Sequence, residues 1–95
     1  MKAKTLIVDD EKMARSELIY LIGKDNRFKV VEEAESGREA VSLLKENKYD
    51  LVLLDIKMPG FSGIEVARLL KEFKNPPQLV FTTAYDEYAV EAFKL

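Results

Sequence analysis

Ninety-five residues carry 15 Lys plus Arg against 17 Asp plus Glu, a net charge of -2, with 47% hydrophobic and 34% charged residues, the profile of one soluble globular domain spanning 1–95. Neither cysteine nor histidine is present, which removes disulfides, thiolate and imidazole metal sites, and Ser-His-Asp or Cys-His nucleophilic chemistry. No apolar run approaches a bilayer span and no signal-like stretch follows Met1, so the expected location is cytoplasmic with no membrane partner, and the lack of clustered Lys or Arg argues against direct nucleic-acid binding by this chain.

Two hydrophobic patterns alternate along the chain. Leu6-Ile7-Val8 is a short continuous apolar run, as expected of a strand buried on both faces of a parallel sheet, and predicts β1 over 4–9. Ala14, Leu18, Leu21 and Ile22 then fall at i, i+4, i+7 and i+8, the inward stripe of a helix α1 over 11–24. The strand β2 over 28–34 is interrupted by Lys29, Glu32 and Glu33 and reads as an edge strand protected by charge. Ser36 opens α2 over 37–47, with Glu39 three residues on to complete a capping box and Ala40, Val41, Leu43 and Leu44 turned inward. Leu51-Val52-Leu53-Leu54 predicts β3 over 50–55; Val66, Leu69, Leu70 and Phe73 predict α3 over 62–74. Leu79-Val80-Phe81 predicts β4 over 78–83, and Tyr85, Tyr88, Ala89, Ala92 and Phe93 predict α4 over 85–95. Strict βα alternation with right-handed crossovers gives an α/β fold with an open parallel sheet.

In such a sheet ligands bind beyond the carboxyl ends of the strands. The residues there are Asp9-Asp10 after β1, Asp55 after β3 and Thr82-Thr83 after β4. Two carboxylates about 4 Å apart repel by about 4 kcal/mol at an effective dielectric near 20, so a proton or a cation must offset them. With oxygen ligands alone, a hard ion such as Mg²⁺ suits the set. A bland account also exists for each acid: Asp10 capping α1 through the Met13 amide, Asp9 and Glu11 facing the helix dipole, Asp55 opening an Asx-turn before Met58-Pro59-Gly60. Thr82 and Thr83 are either β-branched residues finishing a strand or donors of a hydroxyl to an oxyanion on the rim. Gly60 and Gly63 read as turn residues, since no nucleotide-binding glycine pattern is present.

Taken together, Ile7-Val8-Asp9-Asp10-Glu11, the stretch Leu53-Leu54-Asp55-Ile56-Lys57-Met58-Pro59-Gly60-Phe61-Ser62-Gly63 and Val80-Phe81-Thr82-Thr83-Ala84 resemble the receiver domain of two-component response regulators. The resemblance implies a flavodoxin-like fold with strand order 2-1-3-4, the fifth βα unit of the family being absent from this stretch. It implies Asp55 as phosphoacceptor, Asp9, Asp10, Asp55 and the Lys57 backbone carbonyl as Mg²⁺ ligands, and Thr83, ahead of the small Ala84, as the switch hydroxyl. Tyr85 and Lys57 would flank the site. The partner implied is a sensor histidine kinase, and the role is that of a signalling phosphoacceptor assisting its own phosphorylation and dephosphorylation, not an enzyme. The segment Thr83-Ala84-Tyr85-Asp86-Glu87-Tyr88-Ala89-Val90-Glu91-Ala92-Phe93 looks like receivers attached to LytTR-type DNA-binding output domains, which implies transcription regulation by the longer protein. The family's lysine on a fifth strand has no counterpart, since Lys94 falls inside the predicted α4. An uncharged β4 edge would favour a homodimer or strand-swapped oligomer. A phosphate-independent interaction module is the competing expectation; a metal-dependent phosphatase would need an acid where Lys57 stands.

Overall fold

A computed structural model describes residues 2–82. The element order is β1(Ala3–Val8), α1(Lys12–Ile22), β2(Phe28–Ala34), α2(Gly37–Glu46), β3(Leu51–Leu54), α3(Gly63–Leu70) and β4(Gln78–Phe81). The four strands are all parallel in the order β2-β1-β3-β4, the order the resemblance implies. The predicted helix α4 over 85–95 lies outside the described residues.

The apolar runs of β1 and β3 occupy the sheet centre. Leu6, Ile7, Val8, Val52 and Leu54 are fully buried. Leu6, Val8, Val52 and Leu54 face one main core with Ala40 and Leu44 of α2 and Val66, Ala67 and Leu70 of α3. Because side chains alternate along a strand, Thr5 and Ile7 face the opposite side, where α1 packs on β1 and β2. The charged strand β2 does lie at an edge, with Lys29, Glu32 and Glu33 exposed.

Helix α1 departs from its predicted inward stripe at Leu21. Leu21 is 52% exposed, whereas Arg15 is buried and Leu18, Ile19 and Ile22 are half-buried. Ala14 is half-buried with them, so of the predicted stripe only Leu21 is misplaced, and a reading from hydrophobic periodicity misses Arg15 and Ile19. Two helices also stop short of expectation. After Leu70 the chain tightens to i→i−3 bonds, with the Lys71, Glu72 and Phe73 amides donating to Arg68, Leu69 and Leu70 carbonyls, and Phe73 still packs against the core. After Ile22 the amides of Lys24 and Asp25 likewise donate to Leu21 and Ile22.

The caps carry a second correction. Ser36 accepts from the Glu39 amide at 3.1 Å as predicted, but the Glu39 carboxylate accepts from Glu35 N–H, not from Ser36. A reciprocal capping box forms instead at Ser62 and Glu65, opening α3.

Candidate functional site

The sheet ladder continues one residue past β1, β3 and β4. Asp9 N–H donates to Ala34 O at 3.1 Å, Asp55 N–H to Val8 O at 3.0 Å and Thr82 N–H to Leu54 O at 3.0 Å. Asp9, Asp55 and Thr82 thus sit side by side on the carboxyl rim, held by their own backbone. The register Val8↔Leu54↔Phe81 across β1, β3 and β4 requires this alignment.

Asp9, Asp10 and Asp55 each offer an oxygen within 4.8 Å of the others. Asp9 and Asp55 are buried, at 7% and 8% exposure, while Asp10 is open to solvent. The site therefore has a closed floor and one carboxylate at its mouth. Such a set of oxygens suits a hard cation that keeps some of its waters, and the arrangement fits Mg²⁺.

Electrostatics follow from burial and crowding. Desolvation, then the Asp9 charge, push Asp55 up to about 6; the Lys57 amide, donating to the Asp55 carboxylate, opposes this, while Asp10 and Glu11 add to it. Asp9 is also raised, chiefly by burial and further by Asp10, against the pull of the Glu11 amide and the Arg15 charge. The Lys57 amide bond gives Asp55 the turn expected before Met58. Asp10, by contrast, does not cap α1: the N-cap is Glu11 without a side-chain bond, and Asp9 Oδ1 instead accepts from Glu11 N–H at 2.9 Å.

The loop after Asp55 is anchored on alternate sides. Ile56 and Met58 are buried, and Lys57 between them is exposed. Gly60 supplies the turn, with φ at 76°. Gly63 is not a turn residue: it begins α3, its N–H donates to Ile56 O at 2.9 Å, and a Cβ there would stand 2.2 Å from Asp55 O. Only glycine lets the helix start press so closely on the strand end that carries the acid. Thr82 is half-buried at the rim; Thr83, Ala84, Tyr85 and Lys94 lie outside the described residues. A residue that hydrophobic and motif scanning passed over is Arg15, buried behind Asp9.

An open parallel α/β sheet with an acidic cluster on its carboxyl rim defines a flavodoxin-like signalling or ligand-handling fold. Residues 5–95 match the response regulator receiver domain family, and the chain belongs to it. It is therefore a receiver domain of a two-component response regulator, a signalling module. It is 46% identical over 92 residues to the sensory transduction protein LytT of Bacillus anthracis, covering 97% of this chain and 37% of that protein. The chain thus spans little more than a third of that relative's length. Among solved structures, the response regulatory domain of mrkE from Klebsiella pneumoniae superposes with a TM-score of 0.87 at 37% identity, over 96% of this chain and 75% of that one. A chain of the CheX-CheY-BeF3-Mg+2 complex from Borrelia burgdorferi gives 0.84 at 29% identity, over 95% and 69%. Among the described residues no helix is long and apolar enough to cross a membrane.

Proposed function

We propose that residues 1–95 act as a cytoplasmic phosphoacceptor domain, in which Asp55 takes a phosphoryl group from a sensor histidine kinase or a small acyl phosphate. The observation that carries this reading is the buried Asp55 carboxylate set within 4.8 Å of Asp9 and Asp10 oxygens on the carboxyl rim. A carboxylate oxygen of Asp55 forms the bond to phosphorus while the bond from phosphorus to the donor's ring nitrogen, or to the donor acyl oxygen, breaks with its electron pair leaving on that atom. The chain's own task is positioning. The β3 ladder and the Lys57 amide orient the nucleophile, and Gly63 and the buried Ile56 hold its loop.

Asp9, Asp10 and Asp55, with the Lys57 carbonyl, would hold Mg²⁺, which when bound supplies the positive charge that a transferring phosphoryl group and three acids require. The presence of BeF3 and Mg+2 in the complex of a structural neighbour supports Mg²⁺ as the cation. Thr83 supplies the switch hydroxyl, and the longer protein regulates transcription through a separate output domain. Incubation with Mg²⁺ and acetyl phosphate followed by intact-mass measurement tests the reading. One phosphate adduct is expected, abolished by EDTA and by Asp55→Asn. An adduct that survives Asp55→Asn, or none in the parent chain, sinks the assignment and favours a phosphate-independent interaction module.

A further inference from the structure

Arg15 is a buried cation that the phosphotransfer reading leaves without a task. Its Nη1 donates to the backbone carbonyl of Asp9 at 2.8 Å and its Nε to Glu33 Oε1 at 2.9 Å. The guanidinium, with a side chain only 10% exposed, thus ties the first acid of the site to the edge strand β2. Asp9 is held at three points: its N–H on Ala34 O, its carboxylate on Glu11 N–H and its carbonyl on Arg15. The last of these fixes the peptide plane that leads into Asp10, whose exposed side chain meets the Asp9 carboxylate at the mouth of the site.

The partner Glu33 reaches Arg15 because of an irregularity in β2. Thr5 pairs with Val30 but Leu6 pairs with Glu32, so Val31 is an extra residue. Were the Thr5↔Val30 register to continue unshifted, Glu33 would stand opposite Val8 and face the main core. With the extra residue, Glu33 stands opposite Ile7 on the α1 side, and Ala34 takes the core position beside Val8. The bulge therefore delivers a carboxylate to the α1 face at the height of Arg15.

We propose that Arg15, braced by Glu33, is a positioning residue that fixes the Asp9–Asp10 peptide so that both carboxylates converge with Asp55 on one divalent cation. The inference rests on the Mg²⁺ reading of the site. Charge and geometry make opposite predictions. A cation behind a divalent site repels the metal, so if Arg15 acted by charge alone its removal would tighten binding. If it acts by holding the loop, removal loosens binding.

The test is the Mg²⁺ dissociation constant by calorimetric titration of the chain and of variants shown by circular dichroism to be folded. Arg15→Met weakens Mg²⁺ about tenfold, as loss of a charge-assisted bond implies. Arg15→Lys, which keeps the charge but cannot bridge both acceptors, weakens it as well. Arg15→Lys carries the test if Arg15→Met does not fold, because the charge is kept and only the bridge to Asp9 O and Glu33 is lost. Affinity unchanged or tightened in the folded variants overturns the positioning role while leaving the metal site standing. Failure of the parent chain to bind Mg²⁺ overturns the metal reading itself, and this inference with it.

Discussion

Replacing Asp55 by Asn keeps an oxygen that can accept from the Lys57 amide and removes a charge that burial and Asp9 both oppose. Asp55 rises from 3.8 unfolded to about 6 folded. The folded state therefore binds the proton more tightly than the unfolded chain does. That stabilisation is fully present below about pH 4 and is lost as pH rises through about 6. At neutral pH, without a cation, the ionised group costs about 2 to 3 kcal/mol relative to its protonated form, by the linkage of pKa to stability. Asp55→Asn is expected to recover about 2 kcal/mol of this, worth about 10 °C or more in melting temperature for a domain of this size. The assay is denaturant unfolding of parent and variant in EDTA near pH 7.5 and near pH 4.5, where the difference between the two cancels the titration of carboxylates that do not interact with Asp55. The variant is the more stable near neutrality, the gap narrows in acid, and added Mg²⁺ narrows it at neutral pH by stabilising the parent alone. A variant no more stable than the parent near pH 7.5, or a gap equal at both pH values, would refute the electrostatic reasoning.

Two further predictions concern the scaffold around that acid. Gly63→Ala places a Cβ 2.2 Å from Asp55 O and 2.8 Å from Ile56 Cα, both backbone atoms that cannot turn aside. A loss of about 2 kcal/mol or more is expected on denaturant unfolding, and a loss under about 0.5 kcal/mol would show that α3 shifts freely. Ser62→Ala removes the cap on Glu65 N–H, and with it half of the reciprocal box. Its expected cost is about 1 kcal/mol in the same measurement, and no change would mean that solvent caps α3 equally well.

The strands and the acids at their ends were legible because both signals are local. A continuous apolar run bounded by acids, as in Leu6-Ile7-Val8-Asp9-Asp10 and Leu51 to Asp55, states its burial and its terminus in consecutive residues. The order 2-1-3-4 followed from the resemblance to receiver domains, because right-handed crossovers by themselves leave other orders open. The inward stripe of α1 was legible only in part. It includes Arg15, and a cation is assigned to the core side only when two acceptors outside the helix, Asp9 O and Glu33, are already in place. Likewise Gly63 looked like a turn residue because a glycine's need for space depends on what stands opposite, here the Asp55 carbonyl.

By itself, then, the sequence determined where the buried central strands lie, which acids finish them, and that this chain brings no imidazole or thiolate of its own to the chemistry. These are consequences of residue type and of a period of two or 3.6. Only the tertiary structure decided how the site is held. The extra residue Val31 shifts β2 so that Glu33 faces α1, Arg15 meets it, and the Asp9 peptide is fixed from behind. A one-residue change of register reverses every side chain beyond it, and register is settled by the packing of both sheet faces at once.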